Sequence, residues 1–313
     1  MRGLELSEKF YNEFGKPMIE KDFADIRDKL CCGLVGSGSE CFGFDDEISQ
    51  DHDFEPGFCI FIPGEDEIGR RRAFELERAY AKLPKEFMGY KRSPLSPAGG
   101  NRHGVITIGD FYKTKTGHED GALTLSDWMT LPEFYLAEAT NGKVFFDNLG
   151  LFSEIRSKLS NMPENIRLKK LSGNLILMNQ SGKYNYPRCL SHSETAAAQM
   201  ALYEFVQHTL RVIFLLNRKY MPFYKWSFRA LRSLNLLSDF ADPLEYLITT
   251  ENDKITSNTK LKVIDDIVFG IVSEIKKSGI SEATCDDLEK HAFSINDHIS
   301  DSDLRNADIL FGA

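Results

Sequence analysis

The chain has 313 residues, 42% of them apolar, and a formal net charge of −9, enough to fill the core of one large domain or two ordinary ones. That charge disfavours a long electrostatic contact with nucleic acid or an anionic membrane, so a small-molecule or protein partner is expected. No uncharged apolar stretch reaches spanning length and Met1-Arg2-Gly3-Leu4-Glu5 lacks the apolar core of a signal peptide, so the expected location is the cytoplasm, with no membrane partner.

Residues 6–30 predict two helical pieces split near Gly15 and Pro17, with Phe10, Phe14, Phe23, Ile26 and Leu30 as the apolar stripe. Strands are expected over 32–35 and 58–62, and between 64 and 83 the spacing of Ile68, Phe74, Leu76 and Tyr80 predicts an amphipathic helix. Arg70-Arg71-Arg72 then forms a solvated helix face. A loop rich in Pro, Gly and Ser spans 93–100, a third strand spans 103–108, and Asp110-Phe111-Tyr112 opens a polar segment carrying Gly117 and Gly121. Val144-Phe145-Phe146 is a further short strand.

Beyond Leu151 strand signals fade, and helices are expected at 151–160, 164–179, 193–219, 222–236, 258–278 and 284–298. In the longest, Leu202, Val206, Leu210 and Ile213 fall at helical spacing and suit a bundle core. The domain boundary is placed near 150, giving domains 1–150 and 151–313. The six cysteines lack paired CxxC spacing, and Cys31-Cys32 is expected to be buried, reduced packing.

The chemistry is concentrated early. Gly36-Ser37-Gly38-Ser39 is followed by Asp51-His52-Asp53 and the apolar run Phe58-Cys59-Ile60-Phe61-Ile62. On an extended segment Asp51 and Asp53 point to one side and His52 to the other, where a structural hydrogen bond is its expected role. Two carboxylates on one face suit a hard divalent cation, and a glycine-serine turn entering a helix suits a phosphate.

This combination resembles the nucleotidyltransferase superfamily of polymerase-beta-like and antibiotic nucleotidyltransferases, in which a strand ends in Gly-Ser and an Asp-x-Asp pair heads the next strand. Gly36-Ser37 leaves thirteen residues before Asp51 and Gly38-Ser39 leaves eleven. Both registers fit; the second is preferred because Cys41 and Gly43 then occupy places where the family keeps small residues. The wider pattern is similar to a branch described only as a domain of unknown function. It rests on the stretch from Gly36 to Phe54, on Gly109-Asp110-Phe111, on Leu125-Ser126-Asp127-Trp128 to Pro132-Glu133, and on Leu216-Asn217-Arg218-Lys219-Tyr220 to Tyr224-Lys225-Trp226.

The resemblance implies an α+β chain: a nucleotidyltransferase-like mixed β-sheet palm with flanking helices, then an all-helical C-terminal domain completing a cleft. It implies Mg2+ or Mn2+ on Asp51 and Asp53, a nucleoside triphosphate donor, expected to be ATP, and a small-molecule or protein acceptor. Gly36, Ser37, Gly38 and Ser39 would hold phosphates. Two departures stand out. Phe54-Glu55-Pro56-Gly57 intervenes before the second strand, and Pro56 cannot donate to a ladder, which predicts a bulge or an edge position. The superfamily's third carboxylate is missing from 103–108, so Asp110 is the nearest substitute, with Glu133 and Asp147 more remote; Asp110 equally suits a helix cap.

From Phe205 to Ser238 there is no Asp or Glu, while Arg211, Arg218, Lys219, Lys225, Arg229 and Arg232 supply six cations. Lys225, and with it Arg218, is the candidate triphosphate ligand from this half. A catalytically silent nucleotide sensor on the same palm is the alternative to an enzyme. Template-directed polymerisation is disfavoured by the acidic balance.

Overall fold

The computed structural model describes residues 1–48, 54–92 and 102–313. The protein is α+β, with a small mixed four-stranded sheet, flanking helices and a helical C-terminal region. It forms two compact units, one of Met1–Thr124 with Phe134–Asn161 and the other of Leu125–Glu133 with Met162–Ala313. Position 150 lies inside the first unit, and a short segment before it belongs to the second.

In the first unit, α1 (Gly3–Phe10) and α2 (Lys16–Asp22) are joined by a π-helical turn at Tyr11–Gly15. Helical backbone therefore continues through Gly15 into α2, with the π-helical turn standing where the split was expected. Gly15 is needed for space, since a Cβ there would collide with the Phe58 ring. Strand β1 (Cys31–Leu34) leads into the short α3 (Ser39–Phe42), and β2 (Cys59–Ile62) follows. Next come α4 (Glu65–Ile68), α5 (Arg70–Ala81), a small hairpin of β3 (Glu86–Phe87) and β4 (Tyr90–Lys91), then β5 (Gly104–Thr107) and α6 (Ile108–Thr116). After α7 (Leu125–Thr130), which belongs to the second unit, α8 (Glu133–Thr140) from its second residue on, β6 (Lys143–Asp147) and α9 (Leu151–Ser160) complete the first.

The sheet order is β5-β2-β1-β6, with β1 antiparallel to both neighbours and β2 parallel to β5. Both inner strands are buried throughout, as expected of continuous apolar runs covered on two faces. Phe10, Tyr11, Ile19, Leu76 and Tyr80 pack on one face against Cys32, Ile60 and Ile62. On the other, Phe61 stacks on Phe152 at 4.4 Å between ring centres and meets Phe111 edge-on at 5.2 Å. The Cys31 and Cys32 thiols are buried and free, and burial raises both pKa values; burial likewise pushes Cys59 up to about 12.

Several expectations need correction here. Phe74 is exposed, because the buried stripe of α5 is Ala73, Leu76 and Tyr80. Arg70 and Arg71 are solvated, but Arg72 binds Asp25 and covers the Phe23 ring at 4.7 Å. β2 is an inner strand, not an edge, and Pro56 lies before it. The backbone of Phe58 is satisfied instead by the Tyr80 hydroxyl, which donates to its carbonyl at 2.7 Å and accepts from its N–H at 3.1 Å. The segment opened by Asp110 is the helix α6.

The second unit is helical: α10 (Glu164–Met178) runs through a π-helical stretch (Asn179–Asn185) into α11 (Tyr186–Ser191), followed by α12 (Thr195–Leu216), α13 (Tyr224–Leu231), α14 (Ala241–Thr249), α15 (Lys254–Ser278), α16 (Leu288–Asp297) and α17 (Ser302–Asn306). Leu202, Val206, Leu210 and Ile213 are all buried, as their spacing predicts. No helix among the described residues is long and apolar enough to cross a membrane.

Candidate functional site

The turn after β1 is held from several sides. Gly36 and Gly38 have φ values of 102° and 123°, which only glycine adopts without strain. Asn141, just past α8, accepts from the Gly36 N–H at 2.8 Å and donates to its carbonyl at 2.7 Å, a side-chain substitute for a ladder pair. The Arg102 guanidinium donates to the Ser37 carbonyl at 2.8 Å and pairs with Glu40. The Ser37 hydroxyl donates to Glu138 at 2.7 Å and accepts from the Lys115 ammonium at 2.8 Å; Lys115 and Glu138 form an ion pair.

This turn forms part of the wall of a cavity of about 790 Å³ within the first unit. Gly36 and Ser37 line it together with Arg102, Lys115, Thr107 and Asp110. Gly38 and Ser39 do not; Gly38 has no room for a Cβ against the Arg102 guanidinium. Of the two glycine-serine pairs, Gly36-Ser37 is therefore the one at the cavity, two residues before the preferred pair.

Asp110 enters the same cavity from the first turn of α6. It is not the cap of that helix. Thr107 is, accepting from the Asp110 N–H at 2.9 Å. The Asp110 carboxylate is exposed and accepts no hydrogen bond among the described residues. Its hard oxygen donors fit Mg2+ or Mn2+. The described residues gather no group of three His, Cys, Asp or Glu that could hold a metal ion. Asp51 and Asp53, with His52, lie outside the described residues.

Glu65 and Glu77 also line the cavity, whereas the other two sequence candidates for the third acid are occupied elsewhere. Asp147 caps α9, accepting from Gly150 at 3.1 Å and Ser153 at 2.8 Å. Glu133 belongs to the second unit, where burial raises its pKa and Lys170, 3.9 Å away, opposes that rise.

Lys225 and Arg218 are also in the second unit and line no part of this cavity. Lys225 is exposed on α13 with its ammonium 5.2 Å from the Trp226 ring centre. Arg218 takes a left-handed φ of 53° just past α12 and bonds Glu164 through both guanidinium arms, at 2.6 and 3.2 Å. The Glu164 pKa falls to about 2, chiefly through Arg167, with Arg218 adding to it.

A family model described as Domain of unknown function (DUF4037) matches residues 128–227. No curated protein matches the chain. The matched span includes Glu138 and Asn141 of the turn's support, and Arg218 and Lys225, while Gly36 to Asp53 and Asp110 fall outside it.

Lys115, Glu138, Asn141, Arg102 and Glu40 are the residues that sequence reasoning missed. Each is of a type common on surfaces, and their partners are up to 105 positions away, so no local pattern marks them.

Proposed function

We infer that the protein is a magnesium-dependent nucleotidyltransferase, transferring a nucleoside monophosphate from a triphosphate, ATP by preference, to a hydroxyl acceptor with release of pyrophosphate. The observation that carries this reading is the meeting in one cavity of a positive-φ glycine-serine turn, the cations Arg78, Arg102 and Lys115, and Asp110, whose carboxylate accepts no hydrogen bond among the described residues. Backbone amides and the Ser37 hydroxyl of such a turn suit phosphate oxygens. Asp51 and Asp53 are assigned to the metal, which when bound offsets the charge that builds on the transferring phosphoryl group. Asp110, which lines the cavity, is assigned as the third acid and as the base for the acceptor hydroxyl. Arg102 fixes the turn by holding the Ser37 carbonyl, so the phosphate-facing groups are set before the substrate arrives.

A silent nucleotide sensor is favoured by one feature: β5 ends in Thr107, not in an acid, so the candidate base sits on the following helix. Incubation with labelled triphosphates, magnesium and a metabolite or protein extract separates the two. The enzyme releases pyrophosphate, and the combined Asp51→Ala and Asp53→Ala substitution abolishes it. Triphosphate binding with no turnover under any acceptor mixture would establish the sensor instead.

A further inference from the structure

We propose that Lys115 grips the terminal phosphates of the triphosphate, and that Glu138 holds it in reserve until they arrive. The proposal rests on the nucleotidyltransferase reading and adds to it a residue pair and a mode of binding.

Lys115 lies near the end of α6 with its side chain only 13% exposed, and the Glu138 side chain is 16% exposed. The ammonium is nonetheless on the cavity wall, beside the Ser37 hydroxyl. An ion pair so far out of water gains little net stability over a well-packed apolar pair, because desolvation offsets most of the attraction. As a mere tie between α6 and α8 it would be a poor choice. Its location gives it another use.

Ser37 is flanked by two cations, Lys115 on its hydroxyl and Arg102 on its carbonyl. In the free protein Glu138 neutralises Lys115 and also takes the Ser37 hydroxyl proton in a hydrogen bond. A polyphosphate in the cavity competes with this single carboxylate for both donors. Rotation of the Ser37 hydroxyl and a small swing of the Lys115 ammonium transfer both bonds to phosphate oxygens, with no buried cation left unpaired at any stage. Glu138 is thus a positioning residue that lowers affinity for the ligand while keeping the free site ordered.

This arrangement predicts effects of opposite sign. Lys115→Met should weaken ATP and inorganic tripolyphosphate roughly tenfold or more while sparing AMP, whereas Glu138→Gln should tighten the same two ligands severalfold. Lys115→Arg keeps the charge and should retain most of the affinity. The measurement is calorimetric titration of the full chain with ATP, AMP and tripolyphosphate in magnesium, with thermal melts of each variant alongside. If wild-type protein binds ATP and Lys115→Met binds it equally well, the Lys115 assignment falls and the nucleotidyltransferase reading stands. If both variants weaken binding together with a lowered melting temperature, the pair is a structural bridge and the proposal falls. If wild-type protein binds neither ATP nor tripolyphosphate, the underlying reading fails and takes the proposal with it. Should Lys115→Met not fold, the tightening by Glu138→Gln decides alone.

Discussion

His208 shows how one buried side chain sets a pH limit. On α12 its Nδ1 is 2.9 Å from Asn174 Oδ1 and its Nε2 is 3.3 Å from Glu204. Burial and the nearby Arg211 lower its pKa to about 4, outweighing the opposing pull of Glu204. The folded form therefore binds its proton less readily than the unfolded chain, whose histidine titrates near 6.5. The resulting stability is complete above about pH 6.5 and is lost as pH falls towards 4, on the order of 3 kcal/mol in all. In the wild type the urea midpoint should be lower at pH 4.5 than at pH 7, and His208→Gln should shrink that difference. At this scale the sequence was only partly legible. Gly36 and Ser37 are visible as a glycine-serine turn that follows an apolar run, and Asp110 as the acid nearest the strand expected over 103–108. Lys115, Glu138 and Asn141 become meaningful only when the fold brings them to Ser37.

At the scale of elements, strands are the clearest feature, since 31–34 and 59–62 fall on short apolar runs, though Pro56 points to a bulge or an edge where β2 is an inner strand. Helix α6 was hidden by its composition: Lys113, Thr114, Lys115 and Thr116 follow a short apolar face of Ile108, Phe111 and Tyr112, too brief to display a period. Thr107 is the residue that starts this helix. Thr107→Ala should cost about 1 kcal/mol in denaturant stability, and it loosens the turn that carries Asp110. Thr107→Ser, which keeps the hydroxyl, should recover most of the loss. The π-helical turn at 11–15 was equally unreadable, because one extra residue within a helix leaves the apolar stripe nearly unchanged.

At the scale of the whole molecule, the division into two units does not follow the chain. Helix α7 leaves the first unit and packs on α10, burying Trp128 and Met129. It was missed because six residues are too few for periodicity to register. A fragment of residues 162–313 lacks α7 and loses both buried side chains, a deficit of about 3–5 kcal/mol for a large core aromatic alone. It should melt lower than a fragment of 125–313 and bind a hydrophobic dye, as circular dichroism and fluorescence would report. Equal melting of the two would show that α7 is only an attachment.

Met129 also abuts Gly312, which has no room for a Cβ against it. The two are nearly as far apart along the chain as any pair in the second unit. During synthesis at about 5–20 residues per second, Met129 and Trp128 emerge roughly ten to forty seconds before Gly312 is made. Helix α10 is made far sooner and packs on α7, so what stays uncovered for that interval is only the part of Met129 that meets Gly312.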